Sequence, residues 1–366
     1  MDHRTRVEIC LSHEEPDRVP FDCWMADEVY DRLLSEWNLP DRNALLEKLD
    51  VDFRYLQGPS YAGQKMKTHP DGTVEDLWGV RRRIMHIERE RNGHKYQWTY
   101  KHVAVSPLEH METVQEIEKY PGWPTADLWD YSDFEAQCDA VRGKYVVVNA
   151  GDRLDRTAQF KPMMYIRGME QAYVDLGLNP AIAECIIEHI RNYFLAYNER
   201  VFAAANGKID IFMMGDDFGT QQNTMMDVEM WRRFFKPGFR AYIEQAHKYG
   251  MKVMHHTCGC VVDLIPEFIE CGLDILQSVQ PRAARMDLGK LKAEYGKYLA
   301  FQGGMDIQWT LPNGRPEDVR AMVKEQFDKG KPGGAYIACT AHNIQPDTPT
   351  ENIAALFDAY QEYGKY

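Results

Sequence analysis

No apolar run in the chain approaches the roughly 20 residues that a membrane-spanning helix needs. The early basic residues of Met1-Asp2-His3-Arg4-Thr5-Arg6 are not followed by the apolar core of a secretory signal. Positive charge is in deficit. Against 56 Asp and Glu there are 43 Lys and Arg, a formal net charge of −13, which argues against general nucleic-acid binding. A Gly-rich fingerprint after the first strand, a Walker A loop and a G-x-S-x-G elbow are all missing, so dinucleotide binding, phosphate cradling and serine hydrolysis lose their usual signatures. Internal repeats and low-complexity linkers are missing too. The 8 cysteines, scattered from Cys10 to Cys339 over 366 residues, are too sparse for a disulfide framework. These absences predict an acidic, cytoplasmic protein whose reduced thiols are free for metal or redox work.

What is present is an alternation of strand-like and helix-like runs. Strands are predicted at 19–24, 51–56, 144–149 and 209–214, from Met251 towards Cys260, and at 273–280, 298–304 and 334–339. Helices are predicted at 4–12, 27–37, 43–49, 133–142, 163–176, 180–206, 231–249 and 350–363, with Pro237 interrupting the seventh. Eight strands with helices between most of them predict a closed (β/α)8 TIM barrel, an α/β fold whose length range accommodates one domain over 1–366. The rhythm lapses over 58–121, where His69-Pro70-Asp71-Gly72 and the Asn92-Gly93 pair are turn signals. That segment is expected to form an antiparallel β flap inserted after the second strand.

Chemistry gathers at strand ends. In Val253-Met254-His255-His256-Thr257-Cys258-Gly259-Cys260 the side chains of His256 and Cys258 leave the same face of a strand. An imidazole and a thiolate aimed at one point are two parts of a zinc site, which takes three protein ligands when the metal is catalytic. The third is expected at Cys339, where another strand ends in a polar cluster. The competing reading is a core histidine and an inert buried thiol. Cys260 competes with Cys258, although Gly259 turns the chain between them, and His255 points the other way, towards the helices. The remaining strand ends carry Asp216 and Asp217, then Gln280, then Gln302 and Asp306, then His342 and Asn343. A barrel places all of these on one rim, where its active sites are built. Asp216 and Asp217 divide between a site role and the capping of a turn. Cys10, Cys23, Cys138, Cys185 and Cys271 are read as structural.

Four stretches together resemble the uroporphyrinogen decarboxylase superfamily over nearly the full length. They are Arg6-Val7 through Pro16-Asp17-Arg18-Val19-Pro20-Phe21, the Gly215-Asp216-Asp217 turn, His256-Thr257-Cys258-Gly259, and Ile344-Gln345-Pro346-Asp347-Thr348-Pro349-Thr350-Glu351-Asn352-Ile353. The resemblance implies one of two chemistries. The decarboxylases are cofactor-free barrels that grip carboxylates with an Arg-Gln-Ala-Gly-Arg motif after strand one, where this chain reads Trp24-Met25-Ala26-Asp27-Glu28-Val29; His342 falls where they keep a histidine. The other branch comprises zinc-dependent methyltransferases whose His-x-Cys pair and distant Cys match His256, Cys258 and Cys339. It implies methyl transfer between a small molecule (a methyl ether, a methanol-like donor or a thiol acceptor) and a corrinoid carried by a separate protein, since no Asp-x-His-x-x-Gly motif occurs here. On that reading Asp216 and His342 are catalytic, with Asp216 as acid-base helper or fourth ligand. Asp217, Gln280, Gln302, Asp306 and Asn343 bind substrate, a homodimer is compatible with the chain, and the mouth is wide enough for a corrinoid. A decarboxylase acting on a different carboxylated substrate is the alternative.

Overall fold

The computed structural model describes residues 1–91, 94–150 and 156–366. Its strands, in chain order, are β1 (Phe53–Tyr55), β2 (Ser60–Tyr61), β3 (Val74–Glu75), β4 (Arg81–Arg91), β5 (His94–Val105), β6 (Trp129–Asp130), β7 (Val146–Asn149), β8 (Ile211–Gly215), β9 (Lys252–His256), β10 (Ile275–Val279), β11 (Ala300–Met305) and β12 (Tyr336–Thr340). Seven of them form a parallel sheet in the order β1-β7-β8-β9-β10-β11-β12, the curled sheet of a TIM-barrel α/β fold.

The first predicted strand closes this sheet without being a regular ladder. Pro20 has no N–H to give, but its carbonyl accepts from Ala338 at 2.9 Å and the Asp22 N–H donates back to the Ala338 carbonyl at 2.9 Å. On the other side the Asp52 N–H donates to the Phe21 carbonyl at 2.9 Å, so the run joins β12 to β1. Side chains alternate as a half-in, half-out strand requires. Phe53, Val146, Val148, Ile211, Met213, Met254, Ile275, Ala300 and Ile337 form one buried cluster inside the barrel, together with Val7 and Cys10 of helix His3–Leu11, which plugs one end. The residues between them, such as Val147, Phe212, Val253, Leu276 and Phe301, pack in a second cluster with the surrounding helices.

The opening sequence motif holds this end of the barrel. Buried Asp52 accepts from Arg6 at 2.7 Å, from Arg18 at 2.9 Å and from the Phe21 N–H at 2.7 Å. Arg6 also reaches Asp17 at 2.7 Å. The closing motif is structural as well. Arg32 donates to the carbonyls of Pro346 at 3.0 Å and Thr348 at 2.6 Å, and Asn352 donates to those of Leu311 and Gly314, both at 2.8 Å.

The insertion after the second predicted strand is antiparallel, as expected, with sheet order β3-β4-β5. Its limits differ from 58–121: β2 pairs with β6, so the elaboration reaches Asp130, and it includes helix Val114–Glu118. β4 and β5 pair from Arg81↔Val105 to Arg91↔His94; the Asn92-Gly93 turn signal lies outside the described residues. The single helix predicted over 163–176 is two, Phe160–Arg167 and Met169–Leu178, separated by Gly168 at φ 85°. Among the described residues no helix is long and apolar enough to cross a membrane.

Candidate metal centre at the barrel mouth

Alternation along β9 sends Met254 and His256 into the barrel and Val253 and His255 out towards the helices. His255 is 1% exposed and wedged against Phe239 and Phe268, at ring separations of 4.8 and 5.3 Å. Beyond His256 the chain turns at Gly259, whose φ of 83° leaves no room for a Cβ, which would meet the Thr220 carbonyl oxygen at 2.4 Å. The turn keeps Cys258, half-buried, at the mouth and buries Cys260 in the outer core.

Ligand atoms of His256, Cys258 and His342 all lie within 4.8 Å of one another. Cys258 Sγ is 3.6 Å from His256 Nε2, and the two imidazole rings meet edge to face at 5.6 Å. The tautomer follows from the neighbour on β10. Gln277, in register with His256, places its Oε1 against Nδ1. A carbonyl oxygen only accepts, so Nδ1 carries the hydrogen and Nε2 presents a lone pair to Cys258 and His342. Burial holds the His256 ring well below its ordinary pKa and so neutral, with Arg156 and His342 acting the same way against Asp217. A neutral imidazole oriented through its other nitrogen, a thiol and a second imidazole, with three protein donors and an open side, is the donor set of a catalytic zinc site. The residues therefore fit the metal.

Cys339 does not join that group. Following inward-facing Ile337 on β12, it is wholly buried, and its thiol is pushed well above the ordinary range by burial and then by Asp22 and Cys23. It belongs to a layer around Asp22, which accepts from Tyr55 Oη at 2.6 Å and from Gln302 Nε2. Burial raises the Asp22 carboxyl to about 6. Gln302, expected to bind substrate, is committed to this buried layer.

The two aspartates after β8 divide sharply. Asp216 accepts the backbone N–H groups of Gln159, Phe160 and Lys161 at 2.7, 2.6 and 2.7 Å. It caps helix Phe160–Arg167 from a distance, the work expected of a carboxylate at a helix start, and burial lifts its carboxyl to about 7. Asp217 is the nearer to the centre. Its Oδ1 is 3.8 Å from His256 Nε2 and accepts the Cys258 N–H at 3.2 Å, while Oδ2 accepts from Lys161 Nζ at 2.6 Å. Burial would raise the Asp217 carboxyl, but the charges of His256, when protonated, and of Lys161 outweigh it and hold the group below the usual carboxylate range. Gln280 accepts the Gly259 N–H at 2.7 Å and so fixes the turn after Cys258. Asp306 caps the next turn through the N–H groups of Gln308 and Thr310, at 2.8 and 3.1 Å.

A cavity of about 580 Å³ opens over the centre. His256, His342 and Asn343 line it with Trp24, Tyr30, Tyr55 and Tyr165, and the hairpin of β4 and β5 contributes Arg82, Thr99, Tyr100 and Lys101. The mouth expected to be open is thus covered on one side by the insertion, tied down where the Thr99 N–H meets Glu28 Oε1 at 3.2 Å. Four lining cations, Arg82, Lys101, Arg156 and Lys161, stand out in a chain of net charge −13. Trp24 stacks over His256 at 5.6 Å, and the Arg156 guanidinium lies 5.2 Å from the Trp24 ring. Sequence reasoning missed Gln277, Trp24 and these cations. A polar residue at an inward position of an otherwise apolar strand was the available signal for Gln277; that Arg82 and Lys101 reach the cavity is decided by the fold of the hairpin.

Among curated proteins, the methylated-thiol–coenzyme M methyltransferase of Methanosarcina mazei is 24% identical over 206 residues, 56% of this chain and 52% of that protein. The uroporphyrinogen decarboxylase of Coxiella burnetii is 23% identical over 192 residues, 50% of this chain and 48% of that protein. The methylcobamide:CoM methyltransferase MtaA of Methanosarcina barkeri is 24% identical over 169 residues, 45% and 46% of the two chains. The chain therefore spans about half the length of the curated relatives it matches. A solved structure, a methyltransferase from Methanosarcina mazei, shares the fold at a TM-score of 0.67 and 16% identity over 99% of both chains. The family model described as uroporphyrinogen decarboxylase (URO-D) matches residues 157–363, the stretch that supplies β8 to β12 and all three converging ligands. By that match, which covers more than half of its length, the chain belongs to the uroporphyrinogen decarboxylase family.

Proposed function

We propose that this protein is a cytoplasmic, zinc-dependent methyltransferase that moves a methyl group between a small molecule and a corrinoid held by a separate protein. The observation that carries the reading is the convergence of His256 Nε2, Cys258 Sγ and a His342 nitrogen on one point beneath the cavity, with Gln277 fixing the tautomer that frees Nε2. His342 takes the place that the sequence offered to Cys339. Zinc bound by these three residues would supply a Lewis acid able to lower the pKa of an acceptor thiol or stabilise the oxygen leaving group of a methyl ether. Asp217 steadies the Cys258 backbone and pairs with Lys161, which keeps a negative charge beside the centre at neutral pH. Asp216 acts on position rather than on protons, holding the first turn of helix Phe160–Arg167 and with it Lys161. Trp24 covers one face of His256 and excludes water from it, while Asn343 and the hairpin side chains shape the substrate cavity. Residues 1–366 serve as one working unit in this reading.

The cations around the cavity favour a second reading, a carboxy-lyase acting on a carboxylated substrate, since Arg82, Arg156 and Lys161 could hold carboxylates in place of the missing post-strand arginines. The two are separated by incubating zinc-loaded protein with methylcobalamin or Co(I) cobalamin and a panel of thiols and methyl ethers. The methyltransferase reading expects a change in the cobalt spectrum that a chelator abolishes. Zinc-independent CO2 release from a carboxylated substrate, with no change at cobalt under any pairing, would overturn it.

A further inference from the structure

A second set of metal-ligand side chains lies where helix Val114–Glu118 meets helix Pro180–Ala204. Ligand atoms of Glu118, Cys185 and His189 all lie within 4.8 Å of one another. Cys185 and His189 are four residues apart on one helix and so share a face. Cys185 Sγ stands 3.9 Å from Glu118 Oε1, close to the roughly 3.5 Å that separates sulfur and oxygen ligands around a tetrahedral ion with bonds of about 2.3 and 2.0 Å. The His189 ring is already oriented. It stacks on Trp123 at 4.3 Å and 6°, and the Trp123 indole N–H is anchored to the Ile117 carbonyl at 2.9 Å. Cys185 is 8% exposed while Glu118 lies at the surface, so the set has a buried floor and a route of entry. Burial, and then Glu118, pushes the thiol up to about 11, so without a cation the sulfur keeps its proton.

We infer that Glu118, Cys185 and His189 form a second binding site for a divalent ion of the zinc class, with water completing a tetrahedral shell. On binding, the Cys185 S–H bond breaks and its proton passes to solvent, a metal–thiolate bond forms, and the carboxylate and the neutral imidazole each donate a lone pair; nothing is oxidised or reduced. One sulfur, one nitrogen and one oxygen donor suit zinc or Co(II) and disfavour calcium or magnesium. The site would act as a brace. Helix Val114–Glu118 lies in the inserted segment, between the hairpin and β6, and nearby Tyr120 donates to the Trp78 carbonyl at 2.9 Å while Trp78 packs on Tyr193 of the long helix at 5.1 Å. An ion here would clamp the foot of the insertion to the barrel and so set the stance of the hairpin above the mouth.

The test is a Co(II) titration of the chelator-stripped full chain carrying Cys258→Ser, which silences the barrel-mouth centre, followed by visible absorption and by alkylation of Cys185. One equivalent of Co(II), a thiolate-to-cobalt band and protection of Cys185 from alkylation are expected. Adding Cys185→Ser should abolish the band, and adding the surface change Glu118→Gln should weaken binding at least tenfold while circular dichroism of the apo variants stays unchanged. Absence of the band with alkylation of Cys185 unaffected by Co(II) would overturn the inference, as would a band that survives Cys185→Ser.

Discussion

At the residue scale, the motifs by which the chain resembles its family divide between support and the candidate centre. Arg6, Asp17, Arg18, Arg32 and Asn352 hold the barrel ends, whereas His256 and Cys258 converge with His342, and Gln277 orients His256. Ligand assignment is settled by measuring zinc per chain in two variants: His342→Gln should fall well below one equivalent and Cys339→Ser should keep it. The opposite result would return the third ligand to Cys339. His255 gives a prediction about pH. Burial lowers its pKa to about 3, and among the described residues neither ring nitrogen has a hydrogen-bond partner. The unfolded ring takes up a proton below its ordinary 6.5 while the folded ring stays neutral, so the unfolded chain binds more protons. Stability from this ring is therefore present above pH 6.5 and declines by about 1.4 kcal/mol per pH unit as pH falls towards 3. Urea unfolding at pH 7 and pH 5 should show His255→Leu escaping about 2 kcal/mol of the loss the parent suffers. Equal losses in both would refute the assignment.

At the element scale, one carboxylate holds one helix. Asp216 was expected to be a catalytic helper, yet its oxygens accept three N–H groups at the start of helix Phe160–Arg167, which also presents Lys161 to Asp217. Asp216→Ala leaves those buried donors unsatisfied and should destabilise the fold by about 2–4 kcal/mol, read as a lowered urea midpoint. A variant with unchanged stability but no turnover would restore the catalytic role. Gly215, just before it, shows how closely β8 passes the site. An added Cβ would meet Arg156 Cδ at 2.7 Å and His256 Cβ at 3.0 Å. Gly215→Ala should therefore raise KM for an anionic substrate more than it lowers kcat, because Arg156 must move while His256 need shift by only a few tenths of an ångström.

At the scale of the whole molecule, the insertion divides labour with the barrel. The barrel supplies the converging ligands, and the hairpin of β4 and β5 supplies part of the cavity wall through Arg82, Thr99, Tyr100 and Lys101. Shortening the hairpin to a tight turn beyond Arg82 and before Val103 should leave the far-ultraviolet circular dichroism of the barrel and its zinc content intact while small-molecule affinity drops at least tenfold. Loss of zinc along with affinity would mean that the hairpin supports the centre itself.

The seven ladder strands of the barrel and their order, the antiparallel insertion and the pairing of His256 with Cys258 were legible in the chain, because period-two burial and i, i+2 geometry are local properties. Even the turn at Gly259 could be read from one residue. Partnership across the barrel was not local. Whether Cys339 or His342 completes the set, whether Asp216 faces a substrate or a helix start, and whether hairpin cations reach the mouth depend on register, strand stagger and the path of an insertion. Those are fixed by packing between residues far apart in sequence, so the chain alone named the rim on which the site stands and the tertiary structure chose which of its side chains meet.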